Sequence, residues 1–267
     1  METVKVIVRG ATGRMGQEVI KTLCQEPDMI PVGAVDLKIK GERISLPDGS
    51  GSIPLSTNLD AMIDQCKPDV LIDFTVAGAA MDAIRTAARK KVNMVIGTTG
   101  INEAEIDEIR KLATTNDIGI VVAPNFALGA VLMMHLANIA AKYVDYAEII
   151  ELHHDQKRDA PSGTALLTAR KMAESRGKPF KLPLDNDTPP ESRGEQVEGV
   201  SVHSVRLPGL LAHQEVILGI AGQTLRIRHD TIGRECYMPG VMLATREVMK
   251  RKGLTLGLAS LLDLQEA

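Results

Sequence analysis

The first 25 residues carry the pattern that most restricts how this chain can fold. Residues 4–8, VKVIV, form a β-branched run that predicts a buried strand. The run leads directly into GATGRMG at 10–16 and then into helical periodicity from Gln17 to Gln25. A strand, a glycine-rich turn and a helix in this order are typical of a dinucleotide-binding unit. The candidate cofactor-binding residues of the turn are Gly10, Ala11, Thr12, Gly13, Arg14, Met15 and Gly16.

Short apolar strands and longer helices alternate through the next hundred residues. The predicted strands are 30–35, 70–74, 93–96 and 118–123, and the predicted helices are 58–66, 79–90 and 103–116. This alternation predicts an α/β fold with a doubly wound parallel sheet covered by helices on both faces. Residues 42–56, rich in Gly, Ser and Pro, are interpreted as a mobile loop.

Two kinds of group at the end of the second predicted strand bear on the choice of cofactor. Asp36 lies about twenty residues beyond the glycines, where a carboxylate can accept hydrogen bonds from an adenosine ribose and favours NAD. Lys38, with Lys40 and Arg14, could instead neutralise the extra phosphate of NADP. The residues therefore leave NADH and NADPH both open.

Three further segments follow predicted strands at the edge where such sheets bind ligands. They are DFTV at 73–76, GTTG at 97–100 and APNF at 123–126. We expect them to line the nicotinamide half of the cofactor. The residues assigned to this contact are Phe74, Gly97, Thr98, Thr99, Ala123, Pro124, Asn125 and Phe126.

The segment ELHHDQKRDAPSGTA at 151–165 gathers groups suited to acid–base chemistry and anion binding. An apolar strand pattern ends at His153 and His154, and Ser162 is placed to cap the helix that follows. Imidazole, the Lys157 ammonium and the N–H groups of a helix N-terminus would converge on a small carboxylate or phosphate. His-His-Asp could also ligate a metal, but no other Cys or His has matching spacing, so no metal site is predicted.

Composition narrows the class of partner. The 267 residues carry a net charge of −3, no Trp and 2% aromatic residues, which argues against nucleic-acid and membrane-surface partners. The three isolated cysteines are typical of a reducing compartment. We find no apolar run of about 18 residues and no room for a signal peptide before the first strand, so we expect a soluble cytoplasmic protein.

Together these motifs resemble dihydrodipicolinate reductase, also called 4-hydroxy-tetrahydrodipicolinate reductase, of the diaminopimelate route to lysine. The resemblance spans essentially the whole chain, through GATGRMG at 10–16, GTTG at 97–100, APNFALG at 123–129, ELHHDQKRDAPSGTA at 151–165, HSVRLPG at 203–209 and HD…R…PG at 229–240. It implies a Rossmann dinucleotide-binding domain of residues 1–125 and 239–267. It also implies an α+β domain, 126–238, with a mixed open sheet that binds substrate and forms a homotetramer.

Patterns in the second half of the chain fit this plan. Strands are predicted at 201–207, 214–220 and 223–230, a helix at 239–250 and a flexible loop at 185–199. Gly129-Ala130-Val131 departs from the Gly-Val-Asn of many family members and receives no role. Arg158 is interpreted as solvated charge.

The resemblance also implies a reaction. A hydride would pass from NADH or NADPH to a six-membered heterocycle bearing two carboxylates, with loss of water. His153 would be the general acid or base, and Lys157 would bind a carboxylate and stabilise developing negative charge. The further substrate contacts implied are His154, Ser162, Gly163, Thr164 and Arg234.

Two other functions stay open at this point. One is another nicotinamide-dependent reductase of a small carboxylate substrate, although a thioester route would need a cysteine at a pocket loop and Cys24 and Cys66 fall in predicted helices. The other is a non-enzymatic dinucleotide sensor, which would leave His153 and Lys157 without a role.

Overall fold

The computed structural model describes residues 3–182, 190–262 and 264. No helix within these ranges is both long enough and apolar enough to cross a membrane. The chain divides into two compact units, one of Met1–Ala127 with Arg234–Asp263 and one of Leu128–Gly233 with Leu264–Ala267.

The helices and strands follow in chain order. The first half contains β1 (Val4–Arg9), α1 (Arg14–Leu23), β2 (Met29–Val35), β3 (Arg43–Ser45), β4 (Ser52–Ser56), α2 (Leu59–Cys66), β5 (Val70–Asp73), α3 (Ala77–Arg89), β6 (Asn93–Ile96), α4 (Glu103–Asn116) and β7 (Gly119–Val122). The second half contains α5 (Leu128–Ala141), β8 (Tyr146–His153), α6 (Gly163–Arg176), β9 (Glu195–Val197), β10 (Val200–Arg206), β11 (Ala212–Ile220), β12 (Gln223–Thr231), α7 (Met238–Val248) and β13 (Gly253–Leu256).

The first unit contains an eight-stranded sheet in the order β13-β7-β6-β5-β1-β2-β4-β3. Every neighbouring pair is parallel except β3 and β4. β5 and β7 are buried at every position, as strands covered on both faces must be. The chain leaves β1 on one side toward β2 and reaches β5 on the other side. This reversal opens the crevice where doubly wound sheets bind ligands, and the predicted Rossmann fold is confirmed.

Aliphatic and methionine side chains build the core of this unit, as its low aromatic content requires. Ile7 and Leu71 of the sheet are fully buried with Ile84 of α3 and Ile109 of α4. Strand 93–96 and helix 103–116 agree residue for residue with β6 and α4. Asn102 explains the sharp start of α4, because its side chain and that of Glu105 form a capping box.

The prediction of a mobile loop at 42–56 is wrong for much of that segment. Residues Arg43–Ser45 and Ser52–Ser56 form an antiparallel pair, and the second strand also pairs in parallel with β2. Ile53 and Leu55 alternate toward the interior and are 6% and 7% exposed. Of the Gly and Ser residues that suggested a loop, Gly49, Ser50 and Gly51 lie in the turn between the two short strands, whereas Ser45, Ser52 and Ser56 lie at strand ends.

The segments that form α5 and β13 received no prediction of a helix or strand. The sequence of α5, LGAVLMMHLANIAA, is apolar almost throughout, so it lacks the polar face that marks a surface helix. β13 has only four residues, and it becomes a strand by pairing in parallel with β7. Both depend on burial or pairing that a local pattern does not record.

The second unit contains a five-stranded sheet in the order β12-β11-β8-β10-β9. β8 and β10 are parallel and the other pairs are antiparallel, so the predicted mixed sheet is confirmed. Its core joins side chains of the sheet, such as Ile149 and Val216, to Ala169 and Met172 of α6 and Ala137 of α5. The segment 151–165 begins at the C-terminal end of β8, the central strand, and runs into the start of α6.

The prediction of a flexible loop at 185–199 is wrong for Glu195–Val197, because these residues pair with β10 as an edge strand. Gly194 and Gly199, with φ of 72° and 81°, let the chain turn sharply on either side of these residues. Residues 185–189 of the predicted loop lie outside the described residues.

Gly16 supplies a direct test of the glycine-rich turn. A Cβ at this position would lie 2.2 Å from the Gly10 carbonyl oxygen and 2.7 Å from the Ala11 Cα. We expect Gly16→Ala to lower the free energy of unfolding by about 1–3 kcal/mol, since backbone atoms must move apart. The measurement is urea unfolding together with dinucleotide affinity, which should also fall.

Gly78→Ala is the matched control, because a Cβ at Gly78 in α3 would meet no atom of the described residues within 4 Å. This variant should be as stable as the wild type or slightly more stable. Equal stability and dinucleotide affinity for Gly16→Ala and wild type would contradict the close-packing argument.

Candidate active site

The turn after β1 presents free backbone donors at the start of α1. Gly10 adopts a φ of 76°, and its N–H donates to the Val35 carbonyl at 2.9 Å. The N-cap residue, Gly13, has no side chain that could cap the helix, and the first turn has no acidic residue. Across residues 3–182, 190–262 and 264, no hydrogen bond uses the N–H of Arg14 or Met15. This end of α1 can therefore bind an anion such as a pyrophosphate.

Asp36 is bound to the glycine-rich turn. Its Oδ2 accepts hydrogen bonds from the Thr12 N–H at 2.9 Å and the Thr12 hydroxyl at 2.7 Å, and its Oδ1 accepts one from the Lys38 N–H at 3.1 Å. Burial raises the pKa of Asp36, but the hydrogen bonds from Thr12 and Lys38 outweigh burial and hold it below its ordinary value. The Lys38 side chain is exposed. Groups suited to a ribose and to a phosphate are thus both present after β2.

A buried ion pair ties three ligand-side strand ends together. Asp73, which is fully buried, accepts hydrogen bonds from Arg9 Nη1 at 2.6 Å and from the Thr75 hydroxyl at 2.6 Å. The Thr98 hydroxyl donates to the same carboxylate at 3.3 Å. Arg9 and Asp73 are register partners at the ends of β1 and β5. This carboxylate therefore joins the end of β1 and the segment after β6 to the end of β5.

Aromatic packing brings together three residues that the sequence assigned to the cofactor. A Cβ on Gly97 would lie 2.1 Å from the Phe74 ring, so only glycine lets the ring occupy this place. The Phe74 and Phe126 ring centroids lie 5.7 Å apart at an interplanar angle of 60°. Thr98 and Ala123 are buried beside them, whereas Thr99 and Pro124 are exposed. Asn125 accepts a hydrogen bond from the Ala127 N–H at 2.9 Å, which shapes the turn after β7.

In the second unit, β8 ends at His153 and α6 begins at Gly163. Ser162 caps α6, as predicted, by accepting a hydrogen bond from the Ala165 N–H at 3.2 Å. None of the hydrogen bonds in the described part of the chain uses the N–H of Gly163 or Thr164. Two donors at a helix N-terminus are thus available to an anion.

The carboxylate of Glu151, which the sequence analysis did not single out, lies at the centre of this site. It is fully buried, and its Oε2 lies 2.5 Å from His153 Nδ1. Arg206 donates to both oxygens at 2.8 Å, and the Ser162 N–H donates to Oε1 at 3.1 Å. Burial raises the pKa of Glu151, but hydrogen bonds from His153, Arg206 and Ser204 lower it to about 2. Glu151 is therefore a buried carboxylate anion.

The contact with Glu151 assigns different roles to the two ring nitrogens of His153. Because Nδ1 faces a carboxylate, the hydrogen-bond network assigns it the proton of a neutral ring. Nε2 is then the nitrogen that can accept or return a proton. The side chain is 15% exposed, so this nitrogen can meet a small ligand.

Lys157 lies on the turn after β8, where its N–H donates to the His154 carbonyl at 3.1 Å. Its Nζ lies 2.8 Å from both carboxylate oxygens of Asp159, whose side chain is 61% exposed. An exposed pair of this kind adds little stability, so a ligand carboxylate can replace Asp159 at small cost. Arg158 is exposed, and Arg234 is an exposed residue at the start of a short 3₁₀ turn in the first unit.

Sequence profiles of one family cover most of the chain. The profile of the N-terminus of dihydrodipicolinate reductase matches residues 4–126, and the profile of its C-terminus matches residues 129–262. The chain belongs to the dihydrodipicolinate reductase family.

Relatives along the whole length agree with this membership. A 4-hydroxy-tetrahydrodipicolinate reductase of Dehalococcoides mccartyi is 60% identical over 265 residues, which cover 99% of this chain and 100% of the relative. That of Moorella thermoacetica is 48% identical, with 98% of both chains covered. The dipicolinate-bound dihydrodipicolinate reductase from Paenisporosarcina sp. TG-14 superposes with a TM-score of 0.85 at 40% identity, covering 96% of this chain and 98% of that one. An amine dehydrogenase from Mycobacterium smegmatis, 14% identical with a TM-score of 0.66, shares the fold alone.

Two buried carboxylates, Glu151 and Asp73, join the residues singled out from the sequence of this reductase family member. Glu151 lies two positions before His153, and alternate strand residues share a face, so this contact could have been inferred from spacing. Its partner Arg206 lies in the quoted HSVRLPG segment, but 55 residues separate the pair. Arg9 and Asp73 are 64 residues apart, and only the parallel register of β1 and β5 joins them. Among the described residues, no group of three possible metal ligands is present.

The low pKa of Glu151 predicts how stability changes in acid. Its charged form favours folding above the ordinary value of 4.5, and this contribution is lost as the pH falls toward about 2. A tenfold change in proton affinity corresponds to about 1.4 kcal/mol, so the loss is on the order of 3 kcal/mol. Urea unfolding of wild type and Glu151→Gln from about pH 7 to about pH 3 measures the part of this loss that falls above pH 3, on the order of 2 kcal/mol.

We expect the wild type to have the larger free energy of unfolding at neutral pH. The difference in free energy of unfolding between wild type and Glu151→Gln should become smaller as the pH falls from about 5 to about 3. A gap that stays constant between neutral pH and about pH 3 would show that the charge of Glu151 does not stabilise the fold.

Proposed function

We propose that this chain is a 4-hydroxy-tetrahydrodipicolinate reductase, which uses NADH or NADPH to reduce its substrate, with loss of water, to tetrahydrodipicolinate. This reaction belongs to the diaminopimelate route of lysine biosynthesis. The observation that carries the proposal is the site of the second unit, where His153 on its buried carboxylate and a helix N-terminus with free donors occur in one segment. Full-length relatives at 45–60% identity bear this reductase name.

The first unit fits a nicotinamide dinucleotide. The uncapped start of α1 would bind the pyrophosphate through the N–H groups of Arg14 and Met15. Asp36 would accept from a ribose in NADH, and Lys38 would neutralise the added phosphate of NADPH. The other residues proposed to line this site are Gly10, Ala11, Thr12, Gly13, Gly16, Phe74, Gly97, Thr98, Thr99, Ala123, Pro124, Asn125 and Phe126. When bound, the dinucleotide supplies the hydride.

The second unit would bind the heterocyclic dicarboxylate. The free N–H groups of Gly163 and Thr164, behind the Ser162 cap, would hold one carboxylate, as the positive end of a helix dipole favours. Lys157 would release Asp159 and bind the other carboxylate of the substrate. His154 would contact the same substrate carboxylate. Arg234 is a further proposed substrate contact. The two carboxylates would thus orient the ring before reaction.

His153 would hold or take up the proton at Nε2, as general acid or base. Its other nitrogen is engaged by Glu151, so the ring is oriented and can carry positive charge beside a buried anion. Lys157 would stabilise negative charge that develops on the substrate. Removing one group of this kind typically raises the activation free energy by roughly 3–4 kcal/mol.

The proposal also covers the roles of the two domains, the oligomeric state and the location of the protein. Residues 1–125 and 239–267 would act as the cofactor domain, and residues 126–238 would bind substrate and build a homotetramer in the cytoplasm. The open mixed sheet of the second unit supports this division of roles. Light scattering of the purified protein during gel filtration would measure its oligomeric state.

The deciding experiment follows the oxidation of NADH and of NADPH by absorbance, with the substrate generated in situ from pyruvate and aspartate semialdehyde by a synthase. We expect turnover that requires the synthase and both of its substrates. The ratio of the two rates gives the cofactor preference. Dinucleotide binding without turnover would reject the proposal and favour a reductase of another small carboxylate or a dinucleotide sensor.

A further inference from the structure

Glu151 and His153 share one face of β8 with a row of polar side chains. Ser204 of β10 and Gln214 of β11 are the register partners of Glu151 on either side. Gln214 Nε2 donates to the Thr168 hydroxyl of α6 at 2.9 Å, so this face of the sheet is the one that α6 covers. Glu151 thus lies between the sheet and the helix whose N-terminus offers the free donors.

The two oxygens of Glu151 connect different parts of the site. Oε2 is shared by His153 Nδ1 and Arg206 Nη1, and Oε1 is shared by Arg206 Nη2 and the Ser162 N–H. One oxygen therefore faces the imidazole and the other faces the residue that caps α6. Within the part of the chain that the structure describes, the titratable and charged groups bonded to this carboxylate are His153 and Arg206.

Arg206 extends the same network to the loop that carries Lys157. Its Nη2 also donates to the Asp159 carbonyl at 2.6 Å, and its Nη1 donates to the Val205 carbonyl at 2.8 Å. The backbone N–H of the next residue, Leu207, donates to the His153 carbonyl at 3.1 Å. The loop between β8 and α6 is thus held at its strand end, at its middle and at its helix end.

We propose that Glu151 is a positioning residue for the reduction, acting through His153 and through Ser162 without touching the substrate. It fixes the His153 ring so that Nε2 faces the reacting atoms, and it holds the α6 N-terminus at a set place relative to that nitrogen. Arg206 keeps the carboxylate in place for both tasks. This inference rests on the proposed function and assigns the coupling of its two substrate-binding parts to one side chain.

The network requires a carboxylate at this position. A glutamine amide has one oxygen and one NH₂ group, so it would direct a donor at either the Arg206 and His153 pair or the Arg206 and Ser162 pair. One of the two sides would lose its acceptor. The consequence is a His153 ring that rotates or changes tautomer, or an α6 N-terminus that shifts.

The strand supplies a matched control in Glu148. This carboxylate also accepts from an arginine, Arg193, and from a histidine, His203 Nε2 at 2.9 Å. It lies three residues before Glu151, so its side chain points to the opposite face of β8. Glu148→Gln therefore removes the same type of charge from the same strand without disturbing His153.

The test compares Glu151→Gln, Glu151→Asp and Glu148→Gln in the full-length protein. We expect Glu151→Gln to lower kcat by about 10–100-fold with an unchanged KM for the dinucleotide, and Glu148→Gln to keep wild-type kcat. Glu151→Asp should recover part of kcat, since it restores the charge. Equal kcat for Glu151→Gln and Glu148→Gln would overturn the proposal.

A spectroscopic readout tests positioning separately from turnover and from folding of the variants. Nitrogen NMR of histidine side chains, with His153 assigned by its absence in His153→Gln, should show a protonated Nδ1 in the wild type and a tautomer mixture in Glu151→Gln. A wild-type His153 with unprotonated Nδ1 would overturn the proposal even if no Glu151 variant folds. If the reductase assay fails but this spectrum is as expected, the proposed function is wrong and the positioning contact stands.

Discussion

Replacing His153 with glutamine is expected to lower kcat for the reduction by about 10²–10⁴-fold, the usual loss when a general acid or base is removed. Glutamine can keep a hydrogen bond to Glu151, but it offers no nitrogen that exchanges a proton near neutral pH. Dinucleotide affinity should stay at the wild-type value, because the proposed cofactor residues lie in the other unit. The measurement is steady-state oxidation of the preferred dinucleotide alongside direct binding of it.

His135→Gln is the matched control for this prediction. His135 is a half-buried histidine of α5 in the same unit, and it belongs to neither the proposed cofactor site nor the proposed substrate site. It should retain wild-type kcat. A His153→Gln enzyme with the kcat of this control would remove His153 from the chemistry and leave the site as a carboxylate-binding site only.

Replacing Arg206 with alanine is expected to lower the free energy of unfolding by about 3–5 kcal/mol, because it leaves the buried Glu151 anion without its bidentate partner. The Asp159 carbonyl loses a donor in the same change. Urea unfolding at neutral pH measures the loss. The loss should become smaller in acid, where Glu151 takes up a proton and no uncompensated charge remains.

Arg110→Ala provides the comparison for an exposed pair. Arg110 contacts Asp107 on α4, and both side chains are more than half exposed, so the change should stay within about 1 kcal/mol of wild type. If Arg206→Ala were as stable as Arg110→Ala, the Glu151 pair would not stabilise the fold, and the loop 154–162 would have to be held by other contacts.

Local patterns were sufficient wherever one short segment contains the whole cause of a structure. The glycine-rich turn after β1 needs only its own residues to place Gly16 against Gly10. Ser162 caps α6 through a residue three positions away. The same holds for α4, whose capping box lies within four residues. The doubly wound sheet followed from the regular alternation of such segments.

Predictions failed where pairing or burial decided the outcome. β3 and β4 are strands because Ile53 and Leu55 are buried and β4 pairs with β2, although the segment has the composition of a loop. β9 forms by pairing with β10, and β13 by pairing with β7. In each case the hydrogen-bonding partner is a strand, which a local sequence window does not identify as a neighbour.

The sequence by itself determined the fold class, the family and the residues of the segment 151–165 that we assign to catalysis and substrate binding. Only the tertiary structure showed that Glu151 connects His153 to the α6 N-terminus and that Arg206 completes this contact from β10. The physical reason is that caps and turns form between residues a few positions apart. A buried carboxylate, in contrast, needs donors from several elements, and the parallel register of β8 and β10 brings those donors together.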